Sequence, residues 1–272
     1  MTLKLEKKQG LIAGDGLLPI KMAQHAKENG FEVVAISLSS DNCNELKKYC
    51  SKVYSFAVGE VNKIEQMLKD EEIKQITFIG KVNKRILLKR PKMDSRAVEL
   101  LKQAIRLNDD QLMLMIIEEL EKLGITIIDQ TTFIKNLMIP KGVLGKVKPT
   151  EEQIADVNYG YWLAKETGKL DIGQSVVIKN KMIMAVEAIE GTDKCIKRGS
   201  RLARGGASII KVAKPKQDQR FDIPAIGLKT LKVMKRYKSS LIAVEAGKTI
   251  IVDQEEVIKF ADKHNIVIMA VG

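Results

Sequence analysis

Short β-branched runs alternating with amphipathic helical segments constrain the fold of this chain more than any other feature. Leu11 to Ala13 reads as a buried strand, the turn Gly14-Asp15-Gly16 follows, and a helix opens near Pro19, whose fixed φ suits a first turn. Gly30 stops that helix, and Phe31 to Ser37 supplies a second strand. Strand, helix and strand close a βαβ unit, which pairs its strands in parallel. Val53 to Val58 and Gln75 to Ile79 continue the alternation around a helix over Val61 to Glu72, with Ile64, Met67 and Leu68 on one face. The first half is therefore expected to be α/β with a Rossmann-like parallel sheet.

Helices are predicted over Ser95 to Leu107 and over Asp109 to Leu123, the second capped by Asn108 and ended by Gly124, before a strand at Ile125 to Ile128. A short helix leads from Thr131 towards Pro140. The stretch 141–149, KGVLGKVKP, has the glycines and proline of a linker, dividing a domain over 1–140 from a second over 150–272. Two domains suit a chain of 272 residues. Thr150 and Gln153 form a capping-box pattern at the start of a helix reaching Gly168. Ser175 to Ile178 and Met182 to Ile189, joined at Lys179-Asn180-Lys181, read as a hairpin, so the second domain should be α/β with a mixed sheet.

Thr192 reads as the cap of a helix carrying Lys194, Lys197, Arg198, Arg201 and Arg204 within an arc of about 120°. The strand Ala207 to Ala213 follows, then a helix over Leu228 to Tyr237 and strands at Leu241 to Val244 and Thr249 to Val252. A helix capped by Asp253, with Glu256 in the capping-box position, leads to a terminal strand at Ile266 to Val271.

Charge narrows the partners. With 46 Lys and Arg against 34 Asp and Glu, the net charge of +12 favours anionic partners such as nucleotides, nucleic acid or acidic lipid. Only 4% of residues are aromatic, too few for the stacking platforms of single-strand binders, and no zinc-finger spacing occurs. The three cysteines have no C-x-x-C spacing, which fits a reducing cytoplasm. MTLKLEKKQG lacks the apolar core of a secretion signal, and no run approaches the ~20 apolar residues of a membrane span. A cytoplasmic protein, at most peripheral to a membrane, is expected.

The stretch Ala185 to Gly227 is where chemistry concentrates. It combines Glu187, Glu190, Asp193, Asp218 and Asp222 with Lys211, Lys214 and Arg220 at the ends of apolar strands. Carboxylates held at strand ends can ligate Mg²⁺, and cations beside them can grip phosphate. In the first half, Gly14 and Gly16 let backbone approach a phosphate at a helix N-terminus. A basic loop after Gly80, running through Lys81, Lys84, Arg85, Lys89, Arg90 and Lys92, is a second anion-binding candidate.

Seven segments, IAGDGLLP (12–19), NDDQLM (108–113), PKGVLG (140–145), DIGQSVVI (171–178), AVEAIEGTD (185–193), KPKQDQRFDIPAIG (214–227) and IAVEAG (242–247), occur in this order. With them the chain resembles the UDP-2,3-diacylglucosamine pyrophosphatases of the LpxI type over nearly its whole length. The resemblance implies Mg²⁺-dependent hydrolysis of UDP-2,3-diacylglucosamine to 2,3-diacylglucosamine 1-phosphate and UMP in lipid A biosynthesis, by a cytoplasmic enzyme peripheral to the inner membrane. On that basis Asp218 and Asp222 are expected to serve as metal ligand and general base, in either order, assisted by Glu190 and Asp193. Gly14, Gly16, Gly191, Thr192, Lys211, Lys214, Gln217, Arg220 and Glu245 are the expected substrate contacts. Two other classes stay open on the residues alone: a nucleotide-dependent oxidoreductase using the first βαβ unit, and a basic adaptor binding nucleic acid or membrane through the cationic stripe.

Overall fold

β1 (Lys8–Ala13), β2 (Glu32–Ser37) and β4 (Gln75–Ile79) carry apolar runs at their centres or carboxyl ends, and their residues are buried almost throughout. Strands covered on both faces by helices need that composition, and parallel pairing follows. With β3 (Lys52–Ser55) and β5 (Thr126–Ile127) they form a five-stranded parallel sheet in the order β3-β2-β1-β4-β5. These elements belong to a computed structural model that describes residues 4–38, 41–80, 93–104 and 109–272. The basic loop predicted over Lys81 to Lys92 and the Asn108 cap lie outside the described residues.

The chain divides into two compact units, Met1–Ile134 with Gln219–Phe221, and Lys135–Asp218 with Asp222–Gly272. In the first, the helices are α1 (Leu18–Glu28), α2 (Cys43–Leu46), α3 (Val61–Asp70), α4 (Ser95–Ala104) and α5 (Asp109–Lys122). One core cluster joins Ile12, Val34, Ile36 and Ile76 of the sheet to Met67 and Leu68 of α3 and Ile117 of α5. The strand order reverses beside β1, between β1 and β4, and ligands in open parallel sheets bind beyond the carboxyl ends at such a switch point.

The second unit holds a six-stranded mixed sheet, expected from the hairpin. Its order is β6 (Gly142–Leu144), β13 (Val267–Val271), β11 (Leu241–Glu245), β9 (Ser208–Lys211), β7 (Ser175–Lys179) and β8 (Met182–Val186). Strand periodicity sorts the core into two faces. Val177, Ile209, Ile242 and Ile268 pack with Ile196 of α7 (Thr192–Leu202) and Met234 of α8 (Leu228–Arg236). Val176, Ile178, Ile210, Ala243 and Val267 face the other way, onto Val157 and Ala164 of α6 (Glu151–Lys169). β10 (Ala225–Ile226) and β12 (Ile250–Ile251) pair separately, and α9 (Gln254–Lys263) leads into β13.

Two local signals hold, a capping box and a hairpin turn. The Thr150 hydroxyl accepts from Gln153 N–H at 3.2 Å and Gln153 Oε1 accepts from Thr150 N–H at 2.9 Å. Asn180 and Lys181 carry the hairpin turn at φ 52° and 58°. Three local expectations change. The stretch expected as a linker contains β6, which pairs antiparallel with β13. Asp253 sits in the left-handed region at φ 52° and makes no side-chain cap bond, so the capping box written there does not form. Gly191, not Thr192, precedes α7, which frees the Thr192 hydroxyl for a tertiary bond. Among the described residues no helix is long and apolar enough to cross a membrane.

The first sheet is fastened at its amino end by Glu71. Its carboxylate accepts from Lys52 at 2.7 Å, Tyr54 Oη at 2.6 Å and Lys8 at 2.9 Å. The Lys52 bond, then those from Tyr54 and Lys8, hold the carboxyl down at about 2, against an ordinary 4.5. Because the folded-state value is depressed, the stabilisation is complete above about pH 4.5 and is lost as pH falls through about 2. Glu71→Gln should therefore lower the unfolding free energy at pH 7 by about 1–3 kcal/mol, a deficit that shrinks on acidification from pH 5 to 2. Urea titrations of both proteins across that range measure it.

Candidate active site

Register gathers the second unit's polar residues. Ser175 at the start of β7 lies opposite Lys211 at the end of β9, Lys211 lies opposite Val244 of β11, and Val186 at the end of β8 pairs with Val176. One edge of the sheet thus carries Ser175, Glu187, Lys211 and Glu245, and strand parity decides which side each takes. Ser175 and Lys211 share parity with Val177 and Ile209, the face covered by α7. Glu245 shares parity with Leu241 and Ala243, the face covered by α6.

On the α7 side the polar groups meet at Thr192. Its hydroxyl donates to Glu187 Oε1 at 2.9 Å and accepts from Lys211 Nζ at 3.2 Å, with Ser175 Oγ 3.5 Å away. Lys211 also donates to the Ala225 carbonyl at 3.3 Å. Glu187 and Lys211 are both buried, each 8% exposed. Gly191 precedes α7 and gives its first amides no side-chain cap, so the positive end of the helix begins at Thr192.

The loop after β9 brings together three more expected residues. Gln217 Oε1 accepts from Lys214 N–H at 2.8 Å, Gln217 Nε2 donates to Asp222 Oδ2 at 2.6 Å, and Asp222 N–H donates to the Asp218 carbonyl at 2.9 Å. Asp218 and Asp222 therefore stand four residues apart on one closed turn. Lys214 Nζ pairs with Asp171 at 2.6 Å. Arg220 belongs to the first unit and pairs with Glu121 at 3.5 Å.

Glu245 is on the other face and fully engaged. It accepts from Lys165 at 2.9 Å, Lys248 at 2.8 Å and Ala213 N–H at 2.9 Å. Burial alone would raise its pKa, but the bonds from Lys248 and Lys165 outweigh burial and the net shift is downward. Glu190 is held low by its bond from Arg198 and also accepts from Ala188 N–H at 3.1 Å. Asp193 ties α7 to α8 through Thr230 Oγ1 at 3.1 Å and Lys229 at 3.3 Å. The geometry so gives Glu190, Asp193 and Glu245 structural partners.

In the first unit, the turn at Gly14 and Gly16 sits at the switch point. Gly14 N–H donates to the Ile79 carbonyl at 2.9 Å, and Asn42 Nδ2 donates to the carbonyls of Gly14 and Gly16 at 2.7 and 2.9 Å. Gly80 has φ +99°, and a Cβ there would lie 2.8 Å from the Gly14 carbonyl carbon, so only glycine lets β4 end against this turn.

In the sequence Glu187 is one acid among several with no role of its own, and Ser175 is only the first residue of a strand. Their signal was parity, since each falls on the α7 side of a strand end. Burial pushes the Cys50 and Cys195 thiols up to about 12, which disfavours the thiolate at both. Among the described residues no three His, Cys, Asp or Glu side chains gather to hold a metal. Mg²⁺ in phosphate chemistry commonly takes one or two carboxylates and fills its shell with water and substrate oxygens, and the hard-oxygen pair Asp218 and Asp222 fits that requirement.

Fold and site define a two-unit α/β protein with glycine and lysine groups at the carboxyl ends of its sheets. The LpxI N-terminal domain matches residues 8–137 and the LpxI C-terminal domain matches residues 140–269, and the chain belongs to the LpxI family. It is 34% identical over 281 aligned positions to the UDP-2,3-diacylglucosamine pyrophosphatase LpxI of Caulobacter vibrioides, covering 97% of this chain and 98% of that one. Solved structures with partial likeness include an ADP complex of N5-carboxyaminoimidazole ribonucleotide synthetase, at 19% identity and TM-score 0.24, over 53% of this chain and 38% of that one. The biotin carboxylase domain of a Hydrogenobacter thermophilus 2-oxoglutarate carboxylase aligns at 17% identity and TM-score 0.28, over 72% and 41%. Neither bears on the site.

Removing the Glu245 carboxylate strands Lys165 and the Ala213 amide. Glu245→Ala should destabilise the protein by about 3 kcal/mol, read from the denaturant midpoint.

Proposed function

We propose that this chain hydrolyses the pyrophosphate bond of UDP-2,3-diacylglucosamine to give 2,3-diacylglucosamine 1-phosphate and UMP in lipid A biosynthesis. The observation that carries the reading is the end-to-end identity, 34% over 97% of the chain, with a relative named for that activity. Catalysis is assigned to the second unit and nucleotide contact to the Rossmann-like first unit.

In this reading the pyrophosphate meets Lys211, the Thr192 hydroxyl and the first amides of α7, which offset its charge and orient it. Gly191 keeps side chains out of that approach, Lys214 and Gln217 add polar groups from the same unit, and Arg220 is a substrate contact contributed by the first unit. Gly14 and Gly16 offer backbone to the nucleotide. Asp218 and Asp222 would hold Mg²⁺, whose charge when bound neutralises pyrophosphate oxygens. One carboxylate of that pair takes the proton from the attacking water, and Gln217 Nε2 fixes the orientation of Asp222 by its bond to Oδ2. Glu190 and Asp193 assist by fixing α7 at its start.

The substrate carries two acyl chains, so the enzyme works at the cytoplasmic face of the inner membrane as a peripheral protein, without nucleic acid. In support, Lys194, Lys197, Arg198 and Arg201 of α7 are exposed, as are Leu170 and Ile189 at 71% and 105%. Asp218→Asn and Asp222→Asn should each cut turnover at least 100-fold with the denaturant midpoint unchanged within about 1 kcal/mol. Incubation with UDP-2,3-diacylglucosamine and Mg²⁺, with and without chelator, followed by product analysis, tests the assignment. Wild-type rates in both variants discard the acid pair, and no UMP from the wild-type protein discards the function.

A further inference from the structure

We infer that Glu187 reads the sugar: its second carboxylate oxygen accepts a hydrogen bond from a hydroxyl or amide N–H next to the ligand's phosphate, so this edge recognises a phosphosugar and not phosphate alone. The inference rests on the proposed function for the phosphate's position and adds an acceptor that neither the family nor the relative's name assigns.

The observation behind it is an imbalance. Glu187 is 8% exposed; Oε1 accepts from Thr192, yet Oε2 is buried and has no hydrogen-bond partner among the described residues. A buried carboxylate oxygen left unanswered is costly, and native chains answer such atoms unless something else arrives to do so. The other deeply buried acids among the described residues have both carboxylate oxygens met: Glu71 and Glu245 by three donors each, and Asp156 by the amides of Asn180 and Lys181.

The surroundings fix what can arrive. Lys211, the Thr192 hydroxyl and the uncapped start of α7, a helix of 11 residues, attract an anion. A bare anion brought against Glu187 meets a like charge, and Glu187 becomes favourable only for a ligand that carries a donor beside its anionic group. A phosphate on a sugar ring does so, because ring hydroxyls or an acylamino N–H lie one or two carbons away.

The acceptor is also held in place. Glu187 N–H donates to the Ser175 carbonyl at 2.8 Å, and a Cβ at Gly173 would run into the Glu187 carbonyl oxygen, so the chain on either side is fixed.

Calorimetric titration of the intact protein with orthophosphate, methyl phosphate and N-acetylglucosamine 1-phosphate tests this. The wild-type protein should bind the sugar phosphate about tenfold or more tightly than methyl phosphate, as a charge-assisted bond confers. Glu187→Gln should reduce the ratio of affinities for sugar phosphate over orthophosphate about tenfold without weakening orthophosphate. Lys211→Met should weaken both ligands together. Equal wild-type affinity for methyl phosphate and the sugar phosphate overturns the inference before any variant is made, and so does a ratio unchanged by Glu187→Gln. A wild-type protein that discriminates but releases no UMP from the UDP-sugar retains Glu187 and discards the hydrolase. One that releases UMP without discriminating does the reverse.

Discussion

A charge taken out of water must be answered by charge or hydrogen bonds, and the second unit is organised around one such answer. The Glu245 carboxylate ends β11 in a nearly dry environment and is met by Lys165 from α6, Lys248 from the following turn and the Ala213 amide just past β9. These three bonds fix a helix, a turn and the neighbouring strand end relative to one carboxylate. The loop carrying Lys214, Gln217, Asp218 and Asp222 departs from Ala213, so the geometry of the candidate site starts from that point. Partner removal at such a pair is far more damaging than the net worth of the pair, because the remaining charge stays buried.

The same rule separates the protein's acids. Glu71 and Glu245 have every nearby donor committed to them, and Glu190 and Asp193 are tied to Arg198, Lys229 and Thr230. Asp218 and Asp222 lie on the loop beyond β9, where the Asp222 carboxylate accepts from Gln217 and the Asp222 amide donates to the Asp218 carbonyl. Glu187 is deeply buried and only half answered.

Much of the fold could be read from the chain. The runs FEVVAIS and QITFI, the capping box at Thr150 and Gln153 and the hairpin around Asn180 and Lys181 are local signals, and each formed within a residue or a few of its expected place. What escaped depends on partners distant in sequence. Gly142–Leu144 looks like a linker because three residues carry no period, and it becomes a strand only because β13, more than a hundred residues away, offers an edge. Asp253 and Glu256 spell a capping box, but the left-handed backbone at Asp253 turns its side chain from the helix. In the candidate site, composition and spacing single out the stretch 185–227. It did not separate Glu187 from Glu190, because burial is decided by the loop at Gly173 and by α7 packing over the strand end.

Parity connects these observations. Along β9, Ile209 and Lys211 point to the α7 side and Ile210 to the α6 side; along β11, Glu245 joins Leu241 and Ala243 on the α6 side. A slip of one residue in β9 would send Lys211 to Lys165 and Glu245, away from Thr192, while placing Ile210 against α7. The apolar pattern that fills the core therefore also decides where the charges go: Ile209 and Ile210 cannot exchange faces without moving Lys211 with them. The polar edge has no independent means of setting its own geometry. Selection for packing in the strand interior and selection for chemistry at its end act on a single register, and this explains why a cation as costly to bury as Lys211 sits directly after three buried strand residues.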